Sequence, residues 1–316
     1  MAEAGGEEQR DSVGPVSFAD LGIPQPPKLQ DTLLGKARQF QDVEMKERVY
    51  VVVSVITLLA TFAFTVYKIA TVSTSDPDFT FALVLLVSTL FGSYYVVHGV
   101  LQERATEILI FSIATFAVLI YLIVNYAAGK KDSVKLGRLI VAAVLCPVLV
   151  AMGAHLCVQY YRSGNLIFRM VGANAQLQFM CRLLFLFFDC LKFDLQLGIS
   201  MVILILVSRL NVDTEDIVVL SVGGTVTIAW FFLGYYTMKR ENKIGALVFF
   251  VFSPLEIGYV IYKLVQVADY INTYSGVAGS TIACGILALS VRVIVMIVSV
   301  FVVRNFNKGL KEKGKS

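Results

Sequence analysis

From Val49 onward the chain runs as long apolar stretches separated by short polar connections. That spacing is far longer than the two-residue alternation of a half-buried strand or the stripe of a water-facing helix. Eight stretches stand out, at residues 49–72, 79–100, 108–127, 139–160, 187–210, 217–238, 244–267 and 278–303. Each is close to the roughly 20 residues that cross the hydrocarbon of a bilayer. A span in lipid has to satisfy its own backbone hydrogen bonds, so the pattern predicts eight helices and an all-α integral membrane protein. The fifth stretch is the least uniform, because Asp189, Lys192 and Asp194 interrupt its first third. Its helix is expected to begin earlier, near Gln176, with residues 177–186 outside the bilayer or along the headgroup layer.

Composition agrees with this pattern. Of 316 residues, 57% are hydrophobic and 16% charged, whereas a water-exposed surface calls for roughly a quarter charged. The lipid bilayer is the first partner implied. The net charge of +4 is spread over many short segments, and no basic patch speaks for nucleic acid. Residues 1–41 differ from the rest: Pro15, Pro24, Pro26 and Pro27 fall there among scattered acids and few large apolar groups. This composition predicts a disordered cytosolic tail without a signal peptide. Its one apolar cluster, from Val16 to Ile23, is a candidate docking motif for a cytosolic protein.

Orientation follows from the basic residues in the connections. With the N-terminus inside, the inner segments carry 17 Lys and Arg and the outer segments five. Both termini are therefore expected in the cytosol, although the connection at 129–135 runs against the rule. Tyr94-Tyr95, Tyr160-Tyr161 and Tyr235-Tyr236 fall at the inner ends, where an amphipathic ring is well placed. Shifting the chain by 138 residues lays its second half over its first, with Glu103 on Glu241 and Tyr121 on Tyr259. Four spans separate the copies, an even number, so the expected architecture is two parallel four-helix repeats. They occupy residues 42–161 and 187–303, joined by a cytosolic or interfacial connector at 162–186 and followed by a basic cytosolic tail at 304–316. Plasma membrane and endomembrane remain open.

In the fifth span, Phe188-Asp-Cys-Leu-Lys-Phe-Asp-Leu-Gln-Leu-Gly-Ile-Ser200 resembles a signature of an uncharacterised family of eukaryotic multi-pass proteins known only as a domain of unknown function. Lys192, Asp194 and Gln196 carry the likeness, which brings no activity with it.

Candidate chemistry is sparse. Metal hydrolysis needs three or more His or acidic ligands on facing helices, and the chain has only His98 and His155. No metal site is expected. Walker and Rossmann glycine patterns are absent, no cofactor is expected, and Gly223-Gly224 reads as a close-packing site for a neighbouring helix. The five cysteines read as core thiols. No nucleophile stands at a telling spacing from a base, and the chain is not expected to be an enzyme. What remains is charge inside the membrane, which is costly and persists for a reason. The candidate polar centre is Asp189, Lys192, Asp194, Glu256, Arg292 and His155, concentrated in the second half, while the first half reads as structural. Asp189 and Lys192, three apart, either neutralise each other near the headgroups or belong to that centre. The nearest sequence partner of Asp194 is Lys192. Glu256 and Arg292 each lie 12 residues from an inner mouth, about 18 Å deep at 1.5 Å per residue, and are expected to pair. Pro147 and Pro254 are candidate helix kinks.

Two readings follow: passage of a small ion or solute through a polar cavity in the second half, or a non-catalytic scaffold or partner-binding subunit whose buried charges set helix packing. The charge count predicts that tags at Met1 and Ser316 are both reached only after the cytosolic side is opened. Selective permeabilisation checks this, and a tag labelled from outside would mean a wrong span count.

Overall fold

The computed structural model describes residues 30–32, 35–73, 77–128, 133–208, 214–268 and 275–308. It consists of two units, Met1–Val43 and Glu44–Ser316. In the first, β1 (Gln30–Thr32) and β2 (Gly35–Ala37) pair antiparallel, Asp31 opposite Lys36, and a single 3-10 turn follows at Phe40–Asp42. The end of the expected unstructured tail thus pairs into a hairpin, while Val16 to Ile23 lie outside the described residues.

The second unit is helical: α1 (Met45–Thr71), α2 (Pro77–Leu101), α3 (Ala105–Ala128), α4 (Ser133–Ser163), α5 (Asn165–Val171), α6 (Ala175–Ser208), α7 (Thr214–Lys239), α8 (Lys243–Ala268) and α9 (Ser275–Arg304). All but α5 are long, and even α3, the shortest of those, has 24 residues, about 36 Å at the α-helical rise. Among the described residues five segments are both long and apolar enough to cross a membrane, at Met45–Thr71, Asp78–Leu101, Leu136–Val171, Lys243–Val265 and Gly279–Arg304. α6 is set apart by the charges it carries, and α3 has an apolar stretch at Ala105–Ile120.

The helices bury polar and charged side chains along with apolar ones and turn large apolar side chains outward, unlike a water-soluble bundle. α1 buries Glu47, Tyr50, Ser54 and Thr65 and leaves Ile56 and Leu59 62% exposed. α8 buries Ser253, Glu256 and Lys263 and exposes Leu247, Val251 and Leu255. Hydrocarbon is the surrounding that such a surface tolerates, and the apolar helices mark an integral membrane protein. Several buried hydroxyls close back on their own helices, Thr89 on the Leu85 carbonyl (2.7 Å), Ser112 on Ile108 (2.9 Å) and Ser253 on Phe249 (2.7 Å). The five cysteines form no disulfide, and Cys146 and Cys181 are buried.

α6 begins one residue before Gln176, where the Asn174 carboxamide accepts from the amides of Gln176 and Leu177 (3.0 and 3.2 Å). The connector is therefore α5 plus the first turns of α6. Both α4 and α8 continue through their prolines, Pro147 and Pro254, which lie on exposed faces. α1 to α4 pack in sequence with α1 closing on α4, and α6 to α9 do the same with α6 closing on α9. The two groups meet chiefly where α2 lies on α6, with lesser contacts from α3.

The tight turns after α2 and α7 are built alike. Glu103 and Glu241 both hold a left-handed φ, 51° and 53°. The Arg104 amide donates to the Gly99 carbonyl (2.8 Å) as that of Asn242 does to Thr237 (3.0 Å). The Glu103 carboxylate approaches Arg169 (4.0 Å) and that of Glu241 accepts from the Asn307 amide (2.9 Å).

Gly223, buried in α7, lies under the Tyr259 ring and hydroxyl of α8, and Gly224 faces Val202 of α6. The pair is thus a close-packing site. Gly223→Val is expected to cost about 1–3 kcal/mol, the range for overpacking, whereas Gly258→Ala, inside α8 with open space around it, is expected to cost nothing and to gain up to about 1 kcal/mol in helix propensity. Thermal unfolding of the two variants in detergent checks this.

Candidate polar centre

Two charge networks lie between the helices, and α6 belongs to both. The first sits at the α2–α3 turn. Glu107, in the first turn of α3, is fully buried and is gripped from two sides: the His98 Nδ1 of α2 lies 2.6 Å from Oε2, and the Lys192 ammonium of α6 meets Oε1. Arg104 Nη1 reaches Asp189 of α6 at 3.0 Å and stands 3.9 Å from Glu107, while its Nε donates to Gln102 (3.0 Å). Lys192 also lies 3.1 Å from Asp189 and donates to the Tyr94 hydroxyl (3.3 Å). Aromatic faces close the network, with Tyr94 stacked on His98 and Arg104 over the Phe185 ring at 4.3 Å. Two carboxylates here meet one guanidinium and one ammonium, so the acids equal the Arg and Lys in number.

The second network is deeper. Arg292, midway along α9, makes a two-pronged pair with Asp194 of α6, Nε to Oδ1 at 3.1 Å and Nη2 to Oδ2 at 2.8 Å. Its remaining prong, Nη1, meets Glu256 Oε2 of α8 at 2.7 Å. All three side chains are at most 3% exposed. The guanidinium lies 4.9 Å from the Trp230 ring centre of α7, and Trp230 is itself stacked on Phe249 and donates to Ser253 (3.3 Å). Thr227 of α7 stands 3.4 Å from Glu256 Oε2 and donates to its own helix at Gly223 (3.0 Å). Glu256 Oε1 is buried without a hydrogen-bond partner, as is the hydroxyl of Tyr259, one turn along the same helix. Two carboxylates thus share one guanidinium, a geometry that suits Arg because its planar fork serves both at once.

Glu256 and Arg292 meet as their equal depth requires, and Asp194 joins them. Its partner is Arg292 and not Lys192, because residues two apart on a helix point to opposite sides. Asp189 and Lys192 touch each other but do not end there: they tie α6 to the first group of helices. His155 belongs to neither network, since it lies exposed on α4. The polar residues are also not confined to the second half. His98, Arg104 and Glu107 of the first half complete the shallower network, and sequence reasoning passed over them. A signal was present: Arg104 and Glu107, three apart where α3 begins, carry opposite charges, as do Asp189 and Lys192, three apart on α6.

Removing one partner of a buried pair leaves the other uncompensated, at about 3–5 kcal/mol. Arg292→Gln, which strands two carboxylates, is expected to lose folded protein, while Glu256→Gln leaves the Asp194 fork intact and loses less. The Arg292→Gln/Glu256→Gln double variant should be less damaged than the two single losses added together. Thermal stability of the four proteins in detergent reads this coupling, and strict additivity would mean that the pair does not interact.

No curated protein and no solved structure matches the chain. One family model does, described as a domain of unknown function (DUF7789), over residues 34–161 and again over 171–301. Both networks lie within those stretches, which together cover most of the sequence. The chain belongs to this family.

Proposed function

We propose that the chain crosses the bilayer eight times as two parallel four-helix copies of one unit, with both termini cytosolic, and that it passes a small cation through the centre held by α6, α8 and α9. Several observations support the duplication. One family model covers two stretches whose starts, 34 and 171, lie close to the 138-residue shift, and Glu103 and Glu241 stand at the same offset in the same backbone conformation. Their carboxylates reach positions 169 and 307, again 138 apart. Basic side chains lying over tyrosine rings, Arg182 on Tyr161, Lys239 on Tyr235 and Arg240 on Tyr236, suit an inner membrane boundary.

The function rests on a single observation: two buried carboxylates answer one guanidinium. A clamp that only fixed packing would be complete with Asp194, whose two oxygens already occupy the Arg292 fork. Glu256 adds a second carboxylate beside that one guanidinium, at a depth where surplus charge is expensive, and the next buried cation on its own helix, Lys263, stands two turns away. A cation that comes and goes supplies the balance. The scaffold reading keeps one support of its own, the balanced network of Arg104, Glu107, Asp189 and Lys192, which ties α6 to α2 and α3 and needs no visitor. On the present reading that network holds the helices while the deeper one carries the ion.

Purified protein in liposomes is expected to conduct a small cation down an imposed potential, above the leak of empty vesicles, and Asp194→Asn is expected to abolish the conductance. Ile56→Val, on the lipid-facing surface of α1, is expected to leave it unchanged. Vesicles that stay silent across a panel of small cations would leave the scaffold reading standing.

A further inference from the structure

The geometry points to a proton as the ion of the deep centre, with Glu256 Oε1 as the atom that carries it and the Tyr259 hydroxyl as the next station along α8. This inference rests on the transport reading above and adds the identity of the ion.

The oxygens of the two acids are unequal. Both oxygens of Asp194 accept from Arg292, through Nε and Nη2. Each of its oxygens is thus held by a charge-assisted hydrogen bond. Glu256 engages Arg292 through Oε2 alone, at 2.7 Å, and its Oε1 is buried with no partner. Of the four carboxylate oxygens this one is unclaimed, on a side chain 3% exposed. A proton placed there cancels the surplus charge without disturbing any hydrogen bond already made. The groups facing Glu256 sort the same way. α6 presents Asp194, α9 presents Arg292, and α7 presents Thr227 and Trp230, which carry no charge. On α8 itself Tyr259 follows at one turn and Lys263 at two, on the same buried side.

A metal cation fits the centre poorly. Hard cations gather about six oxygens or more around themselves, and here one free carboxylate oxygen and a few hydroxyls are offered with a guanidinium against the same carboxylate. Among the described residues no group of three or more His, Cys, Asp and Glu side chains is placed to hold a metal ion. A proton needs only one oxygen and a path.

Tyr259 gives the path its next step. Its hydroxyl is buried without a hydrogen-bond partner and lies against Gly223, where any side chain would displace it. Glu256 Oε1 and the Tyr259 hydroxyl make no hydrogen bond with each other, so the transfer needs a water between them: the water takes the proton from Glu256 Oε1 as it gives one of its own to the Tyr259 oxygen, and the phenol passes its proton to a water on the far side, so no charge accumulates on the ring. With Glu256 neutral, Arg292 is left to Asp194. With Glu256 ionised, Arg292 is shared between the two.

The test uses the full chain in liposomes, with an entrapped pH indicator and a valinomycin-clamped potassium gradient to set the potential. Wild type is expected to take up protons at the same rate when external sodium is replaced by choline. Glu256→Gln is expected to fall to the level of empty vesicles and Tyr259→Phe to be slowed. Sodium tracer flux, or potassium tracer flux in vesicles without valinomycin, with no proton uptake would overturn the proton and leave the transport reading intact. No flux of any cation would overturn both. Because Glu256→Gln can fail to fold, infrared difference spectra on pH cycling supply a second readout. A protonated-carboxyl band that titrates in wild type and moves in Glu256→Asp supports the assignment, and a wild-type spectrum without such a band overturns it.

Discussion

A guanidinium in the middle of a helical bundle that faces hydrocarbon cannot move out to water and cannot stand unpaired. Arg292 meets that constraint through three hydrogen bonds to two acids on two other helices, and the placement of α6, α8 and α9 follows from it. The fork fixes the rotation of α9 about its axis, since both prongs to Asp194 have to lie in one plane. The third prong fixes the height of α8. α7 closes the remaining side with Trp230 and with small residues, Gly223 and Gly234, that admit Tyr259 and Phe249. Packing between helices in lipid draws little from the hydrophobic effect, so polar pairing and close fit decide the arrangement.

α6 is the element on which both groups of helices depend. At about 100° per residue, Asp189 and Asp194 lie about 140° apart around its axis. One face thus presents Asp189 and Lys192 to the first group, and another presents Asp194 to α9. This explains the run of charges that spoils the fifth apolar stretch. Each is answered by a different neighbour, and none remains for lipid.

Much of the architecture was legible in the residues. Stretches of about 20 apolar positions appear as long helices, and the polar region before the fifth is indeed helical from Ala175. Depth arithmetic paired Glu256 with Arg292 because height along a helix is a matter of counting. Direction around the helix is not, unless the neighbours are known. His155 has the right residue type and a plausible depth but turns outward, and nothing in the surrounding pattern of α4 distinguishes the two sides. Arg104 was counted as one more basic residue of an inner loop, which hid its role as the partner of Asp189. The pairing of Asp194 with Lys192 followed nearness in sequence, where helical geometry already separated them.

The length of α6 has a mechanical consequence. Its 34 residues make a rod of about 51 Å, longer than the roughly 30 Å of a bilayer's hydrocarbon, and a short turn at 172–174 joins its Ala175 end to α5. An α-helix is stiff over this distance, so a push or twist applied to its first turns arrives at Asp189 and Asp194 together. The two networks, separate in chemistry, are therefore mounted on a single lever. Neither can be parted by a movement of α6 without loading the other, and the leverage is greatest at the end farthest from both.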